Sequence, residues 1–362
     1  MEDKKPIYAD NDDGHTLSVV FPNFNHSKYL PEALDAFLSQ SRPPDEIIII
    51  DDASTDNSVD VIRAYMEKDA RIKLICNKKN MGVEHNINRL IEMATGEYIF
   101  LSAADDQVLP GFFEKSLEML ARYPEAGLCS GIVRLIGENS EDRGIRDLPV
   151  VSREARYFKP EEVKEILCKY GRWIQISALI MKRECLLKEG AQREEMGSFA
   201  DQFLTLVIAL KYGACFIPEP LGCWRQLPSG NANQLGRDWK ALAARGEAIV
   251  GVMQKEYRDL FPNKFLAKFS SHWRYMVGST VSESIRVDGG LIAVEAVNTV
   301  CSKRSVVGCM FKPILRILLL CMALLVRIYS VLRYGTFLWW IRGRLSLVLT
   351  QKKLIFWEDE RT

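Results

Sequence analysis

The amino-acid sequence predicts an α/β protein: a doubly wound, mostly parallel sheet flanked by helices, followed by a mainly helical C-terminal region. Three observations between Leu17 and Ser130 predict the sheet. Short apolar runs alternate with amphipathic stretches, the runs are rich in Ile and Val without polar alternation, and cap or turn residues stand between them. Strands buried on both faces read in this way, and strand–helix alternation at this spacing marks parallel βαβ units.

The elements follow in order. MEDKKPIYADNDDGH is polar and acidic, lacks the apolar segment of a secretory signal, and reads as a disordered leader over 1–15. LSVVF (17–21) is the first strand, and Pro31 suits the first turn of a helix over 29–40. EIIIID (46–51) is the second, before a helix over 57–69 that Asp56 is placed to cap. IKLIC (72–76), a helix over 84–94 closed by Gly96, YIFLS (98–102), a helix over 111–122 and GLCSGIV (127–133) complete the regular part. Beyond it, GENSEDRGIRD (137–147) reads as a charged loop, 160–169 as a helix and IQISALIM (174–181) as a strand. A helix over 200–212 ends at Gly213, and CFIPEPLGCWRQ continues as strand and loop. From Arg237 to about Ser302 apolar residues recur near every 3.6 positions, as in helices. The domains expected are therefore 16–230, a helical extension over 231–302, and a basic region over 303–362.

Composition excludes several classes. Hydrophobic residues at 48% and charged residues at 26% rule out wholesale disorder, and a net charge of +1 argues against a nucleic-acid partner held by charge. Nine cysteines without a CxxC pair, and four histidines without HxxxH spacing, fit neither a disulfide framework nor a His-built metal centre. The balanced charge hides an asymmetry. Between Cys301 and Trp357 there are ten Lys and Arg and no acidic residue. In 313–341 the longest uncharged apolar run is Ile317 to Val326, too short to span a bilayer. At 100° per residue Lys312, Arg316, Arg327 and Tyr334 fall on one stripe, which suits a helix lying in a membrane interface. Trp339 and Trp340 suit the interfacial belt. These features predict a membrane surface bound through 303–345 and a peripheral or monotopic protein on the cytoplasmic face.

In an open α/β sheet, ligands bind beyond the carboxyl ends of the strands. Those ends carry Pro22-Asn23-Phe24-Asn25, Asp51-Asp52-Ala53-Ser54 and Ala103-Ala104-Asp105-Asp106. Two acid pairs on one rim repel, and a divalent cation with phosphate oxygens in its shell is a natural compensator. The plainer alternative has Asp51 and Asp56 capping turns, with one acid of each pair facing solvent. No GxxxxGK[ST] or GxGxxG follows a strand, so a P-loop and the usual dinucleotide fingerprint are absent.

LSVVFPNFNHSKYLPEALDAFLSQSRPPDEIIIIDDASTDNS and NKKNMGVEHNINRLIEMATGEYIFLSAADD together resemble the nucleotide-sugar-binding half of family 2 glycosyltransferases, which implies the GT-A fold for the sheet. The resemblance implies inverting transfer of a sugar from a nucleotide diphosphate donor, UDP-linked by preference, assisted by Mg or Mn. It assigns Pro22, Asn23, Asn25, Asp52, Ser54, Asn80, Gly82 and Asn86 to the donor pocket, and Asp105 and Asp106 to the metal, with Asp105 also touching the donor. Ala103 stands where many relatives have the first acid of this motif. The resemblance also implies Asp201 as the base that deprotonates the acceptor, with Ala200 where relatives often have Glu. Asp201 could instead cap its helix, and Glu194 and Glu195 are substitutes for the base. Arg225 is placed to balance diphosphate charge, and Leu227 stands where a His often follows. The acceptor implied is a lipid-linked sugar or cell-surface glycan, and self-association stays open. The competing reading, weighted by Ala103, Ala200 and Leu227, is a catalytically silent nucleotide-sugar binder or scaffold.

Overall fold

The computed structural model describes residues 14–190, 193–227 and 239–287. The described chain forms two compact units: residues 14–166 with 172–226, and residues 167–171 with those from Leu227 onward.

In the first unit, β1 (Leu17–Asn23), β2 (Glu46–Asp51), β3 (Ile72–Cys76) and β4 (Tyr98–Leu101) lie parallel in the order β3-β2-β1-β4. Their side chains are buried on alternate faces. Leu17, Val19 and Phe21 join Ile47 and Ile49 in a core under α1 (Leu30–Leu38), α2 (Ser58–Met66) and α4 (Phe112–Arg122). Phe37, Phe100, Phe112 and Phe113 pack edge-to-face or tilted at its centre, with ring centroids 5.1 to 6.4 Å apart. Val20, Ile48 and Ile50 are equally buried, and α3 (Val83–Met93) packs on β1 and β2. Burial on both faces is why these strands read as unbroken apolar runs.

Past β4 the parallel expectation fails. The sheet continues through β9 (Leu179–Lys182), β6 (Leu128–Ile136), β10 (Ala214–Arg225) and β5 (Gln107–Val108). β9 runs antiparallel to both β4 and β6, and β5 is antiparallel to β10, which is itself parallel to β6. The sheet is mixed. A strand buried on both faces carries no mark of direction in its sequence. The stretch expected as a loop over 137–147 contains β7 (Asp142–Ile145), paired with β6, and β8 (Arg156–Phe158) pairs with β10.

Gly96 does not close α3, which ends at Met93 with Ala94 as its C-cap. A Cβ at Gly96 would stand 2.7 Å from the Ser18 backbone nitrogen, so glycine is needed for close approach to β1. Asp56 accepts the Ser58 N–H at 3.0 Å at the first turn of α2 and also the Ser27 N–H at 2.9 Å, tying two loops together. α5 (Pro160–Tyr170), α6 (Arg183–Glu189) and α7 (Ala200–Tyr212) complete the helices named so far.

The second unit contains α8 (Trp239–Lys255) and α9 (Asn263–Val287). The Trp273 indole donates to the Leu242 carbonyl at 2.7 Å and lies where a Cβ on Gly246 would clash, so the two helices touch backbone to ring. Among the described residues no helix is long and apolar enough to cross a membrane, and the interfacial segment expected at 303–345 lies outside them.

Candidate active site

β1 lies between β2 and β4, with Asn23 opposite Asp51 and Val20 opposite Leu101. The loops that follow β2 and β4 therefore flank the end of β1, about 10 Å apart by strand spacing. Both acid pairs share this rim. Their carboxylates do different things.

Asp51 is a turn builder. Its oxygens accept the Ser54 N–H at 2.9 Å, the Ser54 hydroxyl at 2.6 Å and the Asn23 amide at 2.8 Å. Asp52 faces the β3–α3 loop, where it accepts Asn77 Nδ2 at 2.8 Å, the Met81 N–H at 2.8 Å and the Gly82 N–H at 3.0 Å. Burial alone would raise its pKa, but these hydrogen bonds outweigh burial and hold it below the usual carboxylate range. Asn86 extends the scaffold, donating to the Gly82 carbonyl at 2.8 Å and accepting from Asn77 at 2.8 Å. Asn80 is exposed and accepts the Gly82 N–H, while the Asn25 side-chain carbonyl accepts the Thr55 N–H at 2.8 Å. Pro22 is half-buried at the end of β1. Hydrogen bonds thus compensate the Asp51–Asp52 pair, and it needs no cation.

The Asp105–Asp106 pair is different. Burial raises the pKa of both, and the charge of Asp105 adds to the rise at Asp106. Asp106 is braced: Oδ1 accepts the Arg225 N–H at 2.9 Å and Oδ2 the Ser177 hydroxyl at 2.8 Å. Asp105 is half-buried and is offset by the charges of His26 and Arg225 and by its own backbone N–H. This carboxylate suits a divalent cation. Among the described residues no three His, Cys, Asp or Glu side chains converge on one point, so a cation here would take the rest of its shell from ligand oxygens and water. Of the two acids expected to hold the metal, Asp106 is engaged by Ser177 and the Arg225 backbone, and Asp105 is the carboxylate left with room for a cation.

Arg225, expected at the diphosphate, is enclosed by the protein. Its side chain is 0% exposed, and every guanidinium nitrogen donates within the protein. Nε bonds the Asp105 carbonyl at 2.8 Å, Nη1 the Gly137 carbonyl at 3.0 Å and Ser140 Oγ at 3.0 Å, and Nη2 Glu32 Oε2 at 2.6 Å. Arg225 clamps the loops around Asp105 and presents no face to a diphosphate.

Asp201 sits inside the first turn of α7, whose N-cap is Phe199, so it is not the capping residue. Its carboxylate accepts the Gln202 N–H, and burial pushes its pKa up to about 6 against that bond and the positive charges of Arg146 and Arg172; Glu84 adds to the rise. The side chains of Glu194 and Glu195 lie outside the described residues.

The sequence reading missed Arg146 and Arg172. The charge of Arg146 acts on both Asp106 and Asp201, and its guanidinium lies over the Trp224 ring, 4.6 Å from the centroid. Arg172 acts on Asp201 and donates to Gln202 at 3.4 Å. Both come from segments without helical or strand periodicity, and in a charged stretch an arginine looks like any solvated one. Two buried polar atoms near the end of β1, Asn23 Oδ1 and His26 Nδ1, have no hydrogen-bond partner among the described residues, and Phe24 is 43% exposed. Such atoms are expected to meet a ligand or water.

Residues 18–181 match the family model described as Glycosyl transferase family 2. The uncharacterized protein Rv1520 of Mycobacterium tuberculosis (strain ATCC 25618 / H37Rv) is 36% identical over 152 residues, covering 39% of this chain and 44% of its own. Glycosyltransferase GlyG of Streptococcus pneumoniae serotype 4 is 38% identical over 98 residues, 27% of this chain and 33% of its own. The chain therefore spans less than half the length of these curated relatives. The crystal structure of S. aureus TarS 1-349 in complex with UDP-GlcNAc superposes with a TM-score of 0.53 at 16% identity, over 88% of this chain and 92% of that one, a likeness of fold.

Proposed function

We propose that this chain, whose residues 18–181 match the glycosyl transferase family 2 model, transfers a sugar from a nucleoside-diphosphate sugar to an acceptor hydroxyl, with inversion at the anomeric carbon. One observation carries this reading. A carboxylate pushed up to about 6 (Asp201) and the inner acid of the Asp105–Asp106 pair (Asp106) both act on the charge of Arg146 within one unit.

The nucleoside occupies the end of β1, where Asn23 Oδ1 accepts a base N–H and the Phe24 ring stacks on the base. The loop held by Asp52 walls the pocket. Asp105 holds Mg or Mn, which supplies charge neutralisation of the diphosphate when bound. Asp201 removes the proton from the acceptor hydroxyl as that oxygen forms its bond to the anomeric carbon. The bond from that carbon to the diphosphate oxygen breaks, and the electron pair leaves with the nucleoside diphosphate. A base with a pKa near 6 is ionised at neutral pH yet basic enough to take the proton. The acceptor is a glycan or lipid-linked sugar, presented at a membrane surface that the basic 303–345 segment holds.

UDP-GlcNAc is the first donor to try, because TarS, of like fold, was crystallised with it. Titrating the full chain with a panel of nucleotide sugars, with and without Mn, tests the proposal through melting temperature and released nucleotide. One donor should raise the melting temperature in a Mn-dependent way and be slowly hydrolysed. If no nucleotide sugar shifts melting, the reading fails. Affinity without turnover would make the protein a silent binder.

A further inference from the structure

The Arg225 guanidinium is fully buried, and a charge withdrawn from water needs an opposite charge close by to offset its lost hydration. Among the described residues that charge is Glu32, whose Oε2 stands 2.6 Å from Arg225 Nη2. Glu32 is the third residue of α1, where an acidic side chain ordinarily turns back to the N-cap backbone N–H. It does not do so here. The N-cap, Tyr29, gives its N–H to the His26 carbonyl at 2.9 Å, and the Glu32 carboxylate bonds only to other segments. The needs of its own helix do not explain it.

Its partners do. Glu32 Oε2 alone accepts from Arg225 at the end of β10, from the Ser140 hydroxyl between β6 and β7 at 2.7 Å, and from the Gln107 amide, two positions past Asp105. Arg225 carries the tie onward, from Nε to the Asp105 carbonyl at 2.8 Å and from Nη1 to the Gly137 and Glu138 carbonyls at 3.0 and 3.2 Å. Lys28, just before α1, adds Glu138 Oε1 at 3.0 Å and Asn139 Oδ1 at 3.2 Å. Burial works to raise the Glu32 pKa, but the bonds from Ser140, Arg225 and Gln107 and the charge of Arg225 bring it below the usual range. Two routes thus run from one carboxylate to the residues on either side of Asp106, one through Gln107 and one through Arg225 to Asp105. We propose that Glu32 is a positioning residue of the cation site: by holding Arg225, Ser140 and Gln107 together it fixes where the Asp105 carboxylate stands for the cation and the diphosphate. It acts through these neighbours and is not itself a ligand of the cation. This deepens the glycosyltransferase reading and rests on it.

The test uses the full chain and Glu32→Gln, which keeps the length and an acceptor oxygen and removes the charge. The side chain is 48% exposed, so the variant should fold, and circular dichroism checks that. Free Mn is counted by electron paramagnetic resonance as Mn is titrated into protein saturated with UDP. The Mn dissociation constant should rise about tenfold or more, the usual effect of removing a group that orients a metal ligand. UDP affinity without Mn should match wild type. Amide exchange should quicken over 104–107 and 137–140 and stay unchanged in β2 and β3. Arg225→Lys should weaken Mn binding too, and adding Glu32→Gln to it should cost less than the sum of the two, because they share one chain of contacts. Lowered melting temperature with wild-type Mn affinity would reduce Glu32 to a structural tie and overturn the proposal. So would strict additivity with Arg225→Lys, or a loss of UDP affinity without Mn as large as the loss with it. If the wild-type chain binds no Mn in the presence of UDP, the glycosyltransferase reading fails on its own. Amide exchange in Glu32→Gln then still decides whether this carboxylate orders the loop around Asp105, and unchanged exchange there overturns it.

Discussion

Asp52 and Asp201 were both singled out by type and position in the sequence, yet their surroundings separate a carboxylate saturated by hydrogen bonds from one left poorly compensated. Asp52 accepts three hydrogen bonds from the β3–α3 loop, and its pKa lies below the usual range even after burial has pushed the other way. Asp52→Ala strands two backbone N–H groups and one amide in a buried place, and should cost about 2–3 kcal/mol in urea unfolding, with Asp52→Asn costing about half as much. A smaller loss would mean that water replaces the carboxylate and that the loop is not held by it. Asp201 accepts one local N–H and is pushed up to about 6 by burial. Asp201→Asn should lower kcat by about two to four decades and leave nucleoside diphosphate affinity unchanged. A base works deprotonated, so wild-type kcat/KM should fall about tenfold per pH unit below about pH 6. Unchanged turnover in the Asn variant would remove Asp201 from that role. The sequence shows which acids stand at strand ends. It does not show which of them are saturated by their neighbours, because the saturating donors come from residues 25 to 30 positions away.

Strands β1 to β4 were legible because burial on both faces leaves an unbroken Ile and Val run, as at Ile47 to Ile50. The reversal at β9 was not, because Leu179–Lys182 would read the same in either direction. That reversal places the end of β10 beside the loop after β4, and there Arg225 ties the Asp105 carbonyl, the Gly137 carbonyl, Ser140 and Glu32 into one assembly. The WR dipeptide signalled importance but not function, since a buried clamp and a diphosphate ligand leave the same letter in the sequence. Lys at this position keeps the charge but cannot reproduce a fork that reaches five acceptors, the Glu138 carbonyl at 3.2 Å included. Arg225→Lys should destabilise the first unit by about 2–4 kcal/mol, measured by chemical unfolding. It should also loosen the loop over 137–140, measured as faster amide exchange there than in β1 or β2. Intact stability with lowered donor affinity would instead make Arg225 a direct ligand.

For the molecule as a whole, the titrating groups pull stability in opposite directions with pH. Glu46 accepts bonds from Lys73, Ser18 and Thr95 that outweigh its burial, and Asp56 accepts from Ser27 and Ser58; both are held at about 2. Their contribution is present above their unfolded values of 4.5 and 3.8 and is lost as pH falls toward 2. Asp201 is raised from 3.8 to about 6, so its contribution is complete below 3.8 and is lost as pH rises through 6. Asp105 and Asp106 are raised as well and act in the same direction. The first unit should therefore melt highest between about pH 4 and pH 6, and lower near pH 8. Mn together with a nucleoside diphosphate selects ionised Asp105, so the increment these ligands add to the melting temperature should be larger near pH 8 than near pH 5. An increment that does not change with pH would mean that the ligands bind away from Asp105. A ligand-free protein that melts highest near pH 8 would mean that the acids on this rim are already compensated within the fold, and the reason for a cation there would be gone.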